Sequence, residues 1–133
     1  MGTLIDTSIL VAIERGQLEA DAILGFRDPG TFGAIAAITA AELLYGVYRS
    51  SGARRVRTER YCQGWLALFP VVPFDLEVAR VHAILTQQLG RQGTPIGAHD
   101  LVIAATAVSG SYRVATRDRR SFDRIDGLEV EYW

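Results

Sequence analysis

Short apolar runs alternate with longer stretches of helical period along the chain. Thr3–Ile5 reads as a short buried strand. Ser8–Arg15 and Gln17–Phe26 read as two helices broken at Gly16, and Asp28-Pro29-Gly30 as a turn. Ala34–Ile38 is small and apolar throughout, the pattern of a strand covered on both faces. Thr39–Tyr48 predicts a helix that ends before Ser51-Gly52, and Ala53–Leu68 predicts a second, arginine-rich helix. Pro70-Val71-Val72-Pro73 is short and extended. Asp75–Leu89 carries Val78, Val81, Leu85 and Leu89 at helical spacing, with Gly90 and Gly93 marking its end. After Thr94-Pro95, a helix starting near His99 runs through LVIAATAV to Gly110. Arg113–Thr116 is a strand, Arg119–Phe122 a turn and Leu128–Tyr132 a last strand. Strands alternating with helices predict an α/β fold, a parallel sheet of about four to five strands with helices on both faces. The 133 residues fit one domain over 1–133, with no internal repeat, linker or low-complexity tract.

Four acids punctuate this pattern. Asp6 follows TLI, Glu42 follows AIAAITAA, Asp100 lies inside IGAHDLVIAA, and Asp118 follows YRVAT. Residues just past the carboxyl ends of parallel strands line one shared crevice. Carboxylates gathered there repel, by roughly 4 kcal/mol for two unit charges at about 4 Å and an effective dielectric near 20. A hard divalent cation with oxygen ligands, Mg²⁺ or Mn²⁺, is the usual neutraliser, and such an ion activates water and grips phosphates.

Each acid also has a simpler role open to it. Glu42 stands three residues after Thr39, the spacing of a capping box, and Asp100 would complement the dipole of its helix. Asp118 is placed to cap the turn Arg119–Phe122, and Asp6 to cap the helix after Thr7-Ser8. Taken together these roles weaken, because Asp6 interrupts the apolar run TLIDTSILVAI and Asp100 abuts LVIAA, and buried acids are rare unless paired or metal-bound. Glu14, Glu19, Asp21, Glu77, Glu129 and Glu131 occupy ordinary polar positions.

Composition narrows the chemistry. Net charge is −1, yet all 14 basic residues are arginine, so any mechanism that needs a lysine is excluded, P-loop nucleotidases among them. The single cysteine, Cys62, allows no internal disulfide and no Cys-based zinc site, and reads as a packing residue near Trp65. MGTLIDTSIL lacks the basic start of a signal peptide, and no apolar run reaches about 18 residues, so no membrane partner and a cytoplasmic location are expected. His99 reads as a helix-start or stacking residue, since metal-free RNA cleavage needs a second histidine and His82 lies on a separate helix. A serine-hydrolase elbow and a D-x-D phosphatase motif are both missing.

The segments LIDTSILVA, AAELLYG, PIGAHDLVIAATA and VATRDRRSFDRIDGLEV, in this order, resemble the PIN-domain nucleases and, within them, the VapC-type toxins of bacterial toxin–antitoxin pairs. The resemblance runs from residue 4 to residue 131. It implies a PIN-like three-layer sandwich and a Mg²⁺- or Mn²⁺-dependent endoribonuclease whose metal-binding acids match Asp6, Glu42, Asp100 and Asp118. Members often carry Asn where Asp118 stands. The matching hydroxyls Ser8 and Thr116 would support the site by hydrogen bonds. A cognate antitoxin, homodimerisation with assembly into a toxin–antitoxin hetero-oligomer, and arrest of translation by cutting tRNA or ribosomal RNA are implied as well. A housekeeping RNA-processing nuclease without antitoxin, and a non-catalytic module in which the acids are caps, are the alternatives.

Arginines cluster at Arg49, Arg54, Arg55, Arg57 and Arg60, and again at Arg113, Arg117, Arg119, Arg120 and Arg124. The first group is divided between a solvated helix face and an RNA contact, with Tyr45, Tyr48, Tyr61 and Trp65 nearby as base-stacking or core residues. The second flanks Asp118 and is better placed to grip phosphates.

Overall fold

The computed structural model describes residues 1–24 and 32–133. In chain order its elements are β1 (Thr3–Ile5), α1 (Thr7–Glu14), α2 (Asp21–Leu24), β2 (Gly33–Ala36), α3 (Ala37–Tyr48), α4 (Gly52–Leu68), β3 (Val71–Val72), α5 (Leu76–Gln92), α6 (Ala98–Gly110), β4 (Arg113–Thr116), a 3₁₀ turn (Phe122–Arg124) and β5 (Val130–Tyr132). The expected turn Asp28-Pro29-Gly30 falls outside the described residues.

Five strands pair in the order β3-β2-β1-β4-β5, all parallel. The register sets Leu4 against Ala34 on one side and against Val114 on the other. Successive side chains of a strand point to opposite faces, and here that alternation divides the core in two. Leu4, Ala34, Ala36 and Val114 join Val78, Leu85, Leu89 and Ile103 beneath α5 and α6. Ile5, Ile35 and Ala115 join Ile9, Leu10, Leu43 and Val47 beneath α1 and α3, with Cys62 of α4. Both faces are covered, so the central strands β1 and β2 read as near-continuous apolar runs, while the edge strand β5 carries the exposed Glu131. Close packing also explains Gly33, where a Cβ would sit 2.8 Å from the Phe69 ring.

Element boundaries differ from expectation in several places. The helix predicted over Gln17–Phe26 is the single turn Asp21–Leu24 among the described residues. Strand β2 stops at Ala36, and α3 begins at once at Ala37 rather than at Thr39, with no side-chain cap. Alanine is the strongest helix former, so an AIAAITAA run supports either state, and burial against the sheet decides it. Helix α5 continues through Gly90 to Gln92 and ends at Gly93, whose φ of 67° is the left-handed stop that glycine adopts without strain. The last strand is Val130–Tyr132, shorter than Leu128–Tyr132.

Candidate active site

The strand order reverses at β1. From it the sheet grows one way through β2 and β3, and the other way through β4 and β5. In such sheets the crevice outside the carboxyl ends of the strands at the reversal is the natural ligand site. Asp6 stands at the end of β1 and Thr116 at the end of β4, the strand beside it, with Asp118 two residues further on.

Asp6 is 3% exposed and its Oδ2 accepts two hydrogen bonds, from Ser8 Oγ at 2.5 Å and from Thr116 Oγ1 at 2.8 Å. Each donor is itself fixed. The Arg117 N–H donates to Ser8 Oγ at 3.1 Å, and the Asp118 N–H donates to Thr116 Oγ1 at 2.9 Å. Burial holds the Asp6 carboxyl above the usual aspartate range. The two hydroxyls work against that rise, and the charge of Asp100 adds to it. Among the described residues no arginine or histidine pairs with Asp6. Asp6 occupies the position before α1 but does not cap it; the Ser8 N–H lies near enough to favour the charge slightly without the geometry of a capping bond.

Asp100 lies in the first turn of α6, as expected. One hydroxyl ties it to Asp118: Ser121 Oγ is 2.8 Å from Asp100 Oδ2 and 3.1 Å from Asp118 Oδ2. Asp118 also accepts the Arg120 N–H at 2.8 Å, so it closes its turn and faces Ser121 at once. Ser121 was not singled out from the sequence; its only signal is its position three residues after Asp118 and just before the fully buried Phe122.

Glu42 stands slightly apart. It is not the capping-box glutamate that its spacing from Thr39 suggested, because α3 starts two residues earlier. Its Oε1 accepts from Thr7 Oγ1 at 3.0 Å, and Thr7 in turn lies 3.0 Å from Thr39 Oγ1. Its Oε2 lies 3.5 Å from His99 Nδ1. His99 is the second residue of α6, as its helix-start reading expected, and lies largely exposed beside Glu42, while Gly97 takes the cap position. The six predicted residues thus gather at one end of the sheet: Asp6, Ser8, Thr116, Asp118 and Asp100 are linked by hydroxyls, and Glu42 is held by α1. Among the described residues no three acids, histidines or cysteines already surround a common point.

Two other expectations are settled by packing. Cys62 is buried with Trp65 against the same cluster, and burial pushes its thiol up, away from the reactive thiolate. The Tyr61 hydroxyl donates to the Leu10 carbonyl at 2.5 Å, and its ring meets Trp65 edge-on, so neither is a free stacking surface. Tyr45 and Tyr48 are exposed, each under an arginine, Arg49 and Arg55.

A profile of the PIN domain matches residues 3–128. The chain belongs to the PIN-domain family of nucleases. It is 35% identical over 131 residues to ribonuclease VapC1 of Rickettsia felis, covering 98% of this chain and 95% of that one. It is 33% identical over 99 residues to the tRNA(fMet)-specific endonuclease VapC of Salmonella typhimurium, covering 74% of each. Among solved PIN-domain structures, VapBC2 of Rickettsia felis bound to a promoter DNA fragment superposes with a TM-score of 0.90 at 25% identity, over 100% of this chain and 99% of that one. DNA-bound VapBC of Salmonella typhimurium superposes with a TM-score of 0.88 at 27% identity, over 100% and 98%. No helix among the described residues of this PIN domain is long and apolar enough to cross a membrane.

Proposed function

We propose that the chain, one PIN domain over 1–133, is a Mg²⁺- or Mn²⁺-dependent endoribonuclease, the VapC-type toxin of a toxin–antitoxin pair, and that it arrests translation by cutting a structured RNA such as tRNA or ribosomal RNA. The observation that carries this reading is a buried carboxylate, Asp6, without a cationic partner among the described residues and beside a second acid, Asp100. A fold keeps such a charge where a ligand will compensate it.

The donor set fits a hard cation: Asp6, Glu42, Asp100 and Asp118 offer only oxygen, with no sulfur donor close by. These four residues would hold the ion. Bound there, it would neutralise the carboxylates, polarise the phosphodiester and activate the attacking water. The chain's own part is orientation. Ser8 and Thr116 both donate to Asp6 Oδ2. Ser121 bridges Asp100 and Asp118, and Thr7 donates to Oε1 of Glu42.

An antitoxin partner, a cytoplasmic location and a homodimer belong to the same reading. The antitoxin partner is supported by VapBC-5 of Mycobacterium tuberculosis, described as a member of the VapBC family of toxin–antitoxin systems and 29% identical at a TM-score of 0.75. The test is cleavage of total RNA with and without EDTA, with mapping of the new ends. Metal-dependent 5′-phosphate ends are expected. Cyclic-phosphate ends that persist in EDTA would overturn the proposal in favour of a 2′-hydroxyl route.

A further inference from the structure

The segment between β4 and β5 carries four arginines, and the structure separates them. The Arg124 guanidinium donates to the Pro95 carbonyl at 2.9 Å, which spends it on holding the loop before α6. Arg120 turns back on Asp118, with Nε 3.6 Å from Oδ1. The exposed Arg117 fixes Ser8 through its backbone N–H. Arg119 alone is mounted on an aromatic ring: its guanidinium carbon lies 4.5 Å from the centre of the Tyr132 ring. That ring does not swing freely, because the Tyr132 hydroxyl donates to Asp123 Oδ1. Loss of solvent first, and then Asp123, push the phenol up to about 12, so it remains a donor across the physiological range. Tyr132 lies opposite Thr116 in the β4–β5 register, which sets the ring beside the candidate site.

Stacking occupies the face of a guanidinium and leaves its in-plane N–H donors open. Those donors match the oxygens of a phosphate two at a time. A held arginine also loses less side-chain freedom when it binds than a free one. We propose that Arg119, held by Tyr132 and Asp123, is the phosphate contact that seats the RNA strand beside the four acids. This rests on the ribonuclease reading and adds to it the residue that positions the substrate backbone.

The experiment uses the full chain carrying Asp6→Asn, which is expected not to cut, and a fluorescein-labelled RNA hairpin followed by anisotropy over a series of salt concentrations. Arg119→Gln in this background should weaken binding several-fold. It should also lower the slope of log affinity against log salt by roughly 0.7 to 0.9, the loss of one phosphate contact. Arg119→Lys should keep the slope and recover only part of the affinity. Tyr132→Ala should weaken binding with the slope unchanged, since no charge is lost, and Tyr132→Phe should weaken it less than Tyr132→Ala. Thermal melting and Mn²⁺ affinity of the otherwise wild-type chain should not move with Arg119→Gln, which separates a substrate contact from a structural one. Unchanged affinity and slope in Arg119→Gln, while the parent binds the hairpin, would overturn the assignment of Arg119 and leave the nuclease reading standing. A parent that fails to bind RNA at any salt would overturn both.

Discussion

Asp6 sits in an unfavourable place for a charge, and the direction of its shift states how. The folded chain holds the Asp6 proton more tightly than the unfolded chain, whose value is near 3.8. The resulting penalty is absent below that value and grows as pH rises through the folded value, so this carboxylate opposes folding at neutral pH. Asp6→Asn should therefore raise the melting temperature of the metal-free protein at pH 7, and the gain should vanish as pH falls below about 3.8. The same variant should lose cleavage and bind Mn²⁺ more weakly. A lower melting temperature at pH 7 would make Asp6 a structural residue. Ser121 gives a complementary case. Ser121→Ala removes the hydroxyl shared by Asp100 and Asp118 and should reduce Mn²⁺ affinity about tenfold, the usual effect of deleting a residue that orients a ligand. Undiminished affinity would mean that the two acids do not act together. The acids were legible from sequence because a charge inside an apolar run is conspicuous. The hydroxyls of Thr7 and Ser121 were not, since serine and threonine fit almost any position and acquire a role only when the fold brings an acceptor to them.

Among the elements, the 3₁₀ turn Phe122–Arg124 links stability to the site. Phe122 is fully buried in the cluster beneath α5 and α6, and the residue before it is Ser121. Phe122→Ala should cost about 3–5 kcal/mol of stability, measured by urea unfolding, and should release Ser121 with it, so Mn²⁺ affinity should fall as well. Helix α5 offers the contrast. Asp75 Oδ1 accepts the Val78 N–H at 3.0 Å, a true helix cap. Asp75→Ala should cost about 1 kcal/mol and leave cleavage as it is. Loss of cleavage there would couple the helix start to the site by a route the hydrogen bonds do not contain. Elements with a distinct period, such as α5, were predicted almost to their ends. The β2–α3 junction was not, because a run of alanine and isoleucine carries no period and α3 begins without a capping side chain. The capping-box spacing of Thr39 and Glu42 misled for the same reason: the helix had already started, and Thr39 was buried against Thr7.

At the scale of the whole molecule, a groove of about 830 Å³ runs along α1, α3 and α4, walled by Val11, Leu43 and Tyr45, and ends at Thr7, Glu42 and His99. The groove sets apolar walls between Arg15, Arg49 and Arg54 and reaches Glu42 of the four acids, so it suits a peptide with apolar side chains and one basic residue placed against Glu42. An antitoxin segment of that kind should draw most of its affinity from the groove, because a desolvated charge pair gains little net free energy. The basic residue should supply the inhibition. Replacing it by Ala should restore cleavage while the complex survives on a sizing column; if the complex falls apart, or cleavage stays blocked, inhibition takes another route. The sheet order has a consequence for timing. Asp6 is made well before its neighbour in the sheet, β4, and its partner Thr116. A nascent chain that has completed α6 already carries Asp6, Glu42 and Asp100, but the central strand still lacks one side and Asp118 is missing. The candidate site therefore cannot assemble until β4 and Asp118 have been made. A product cut short before β4 would lack the site, and an inhibitor would have the interval between β1 and β4 in which to arrive.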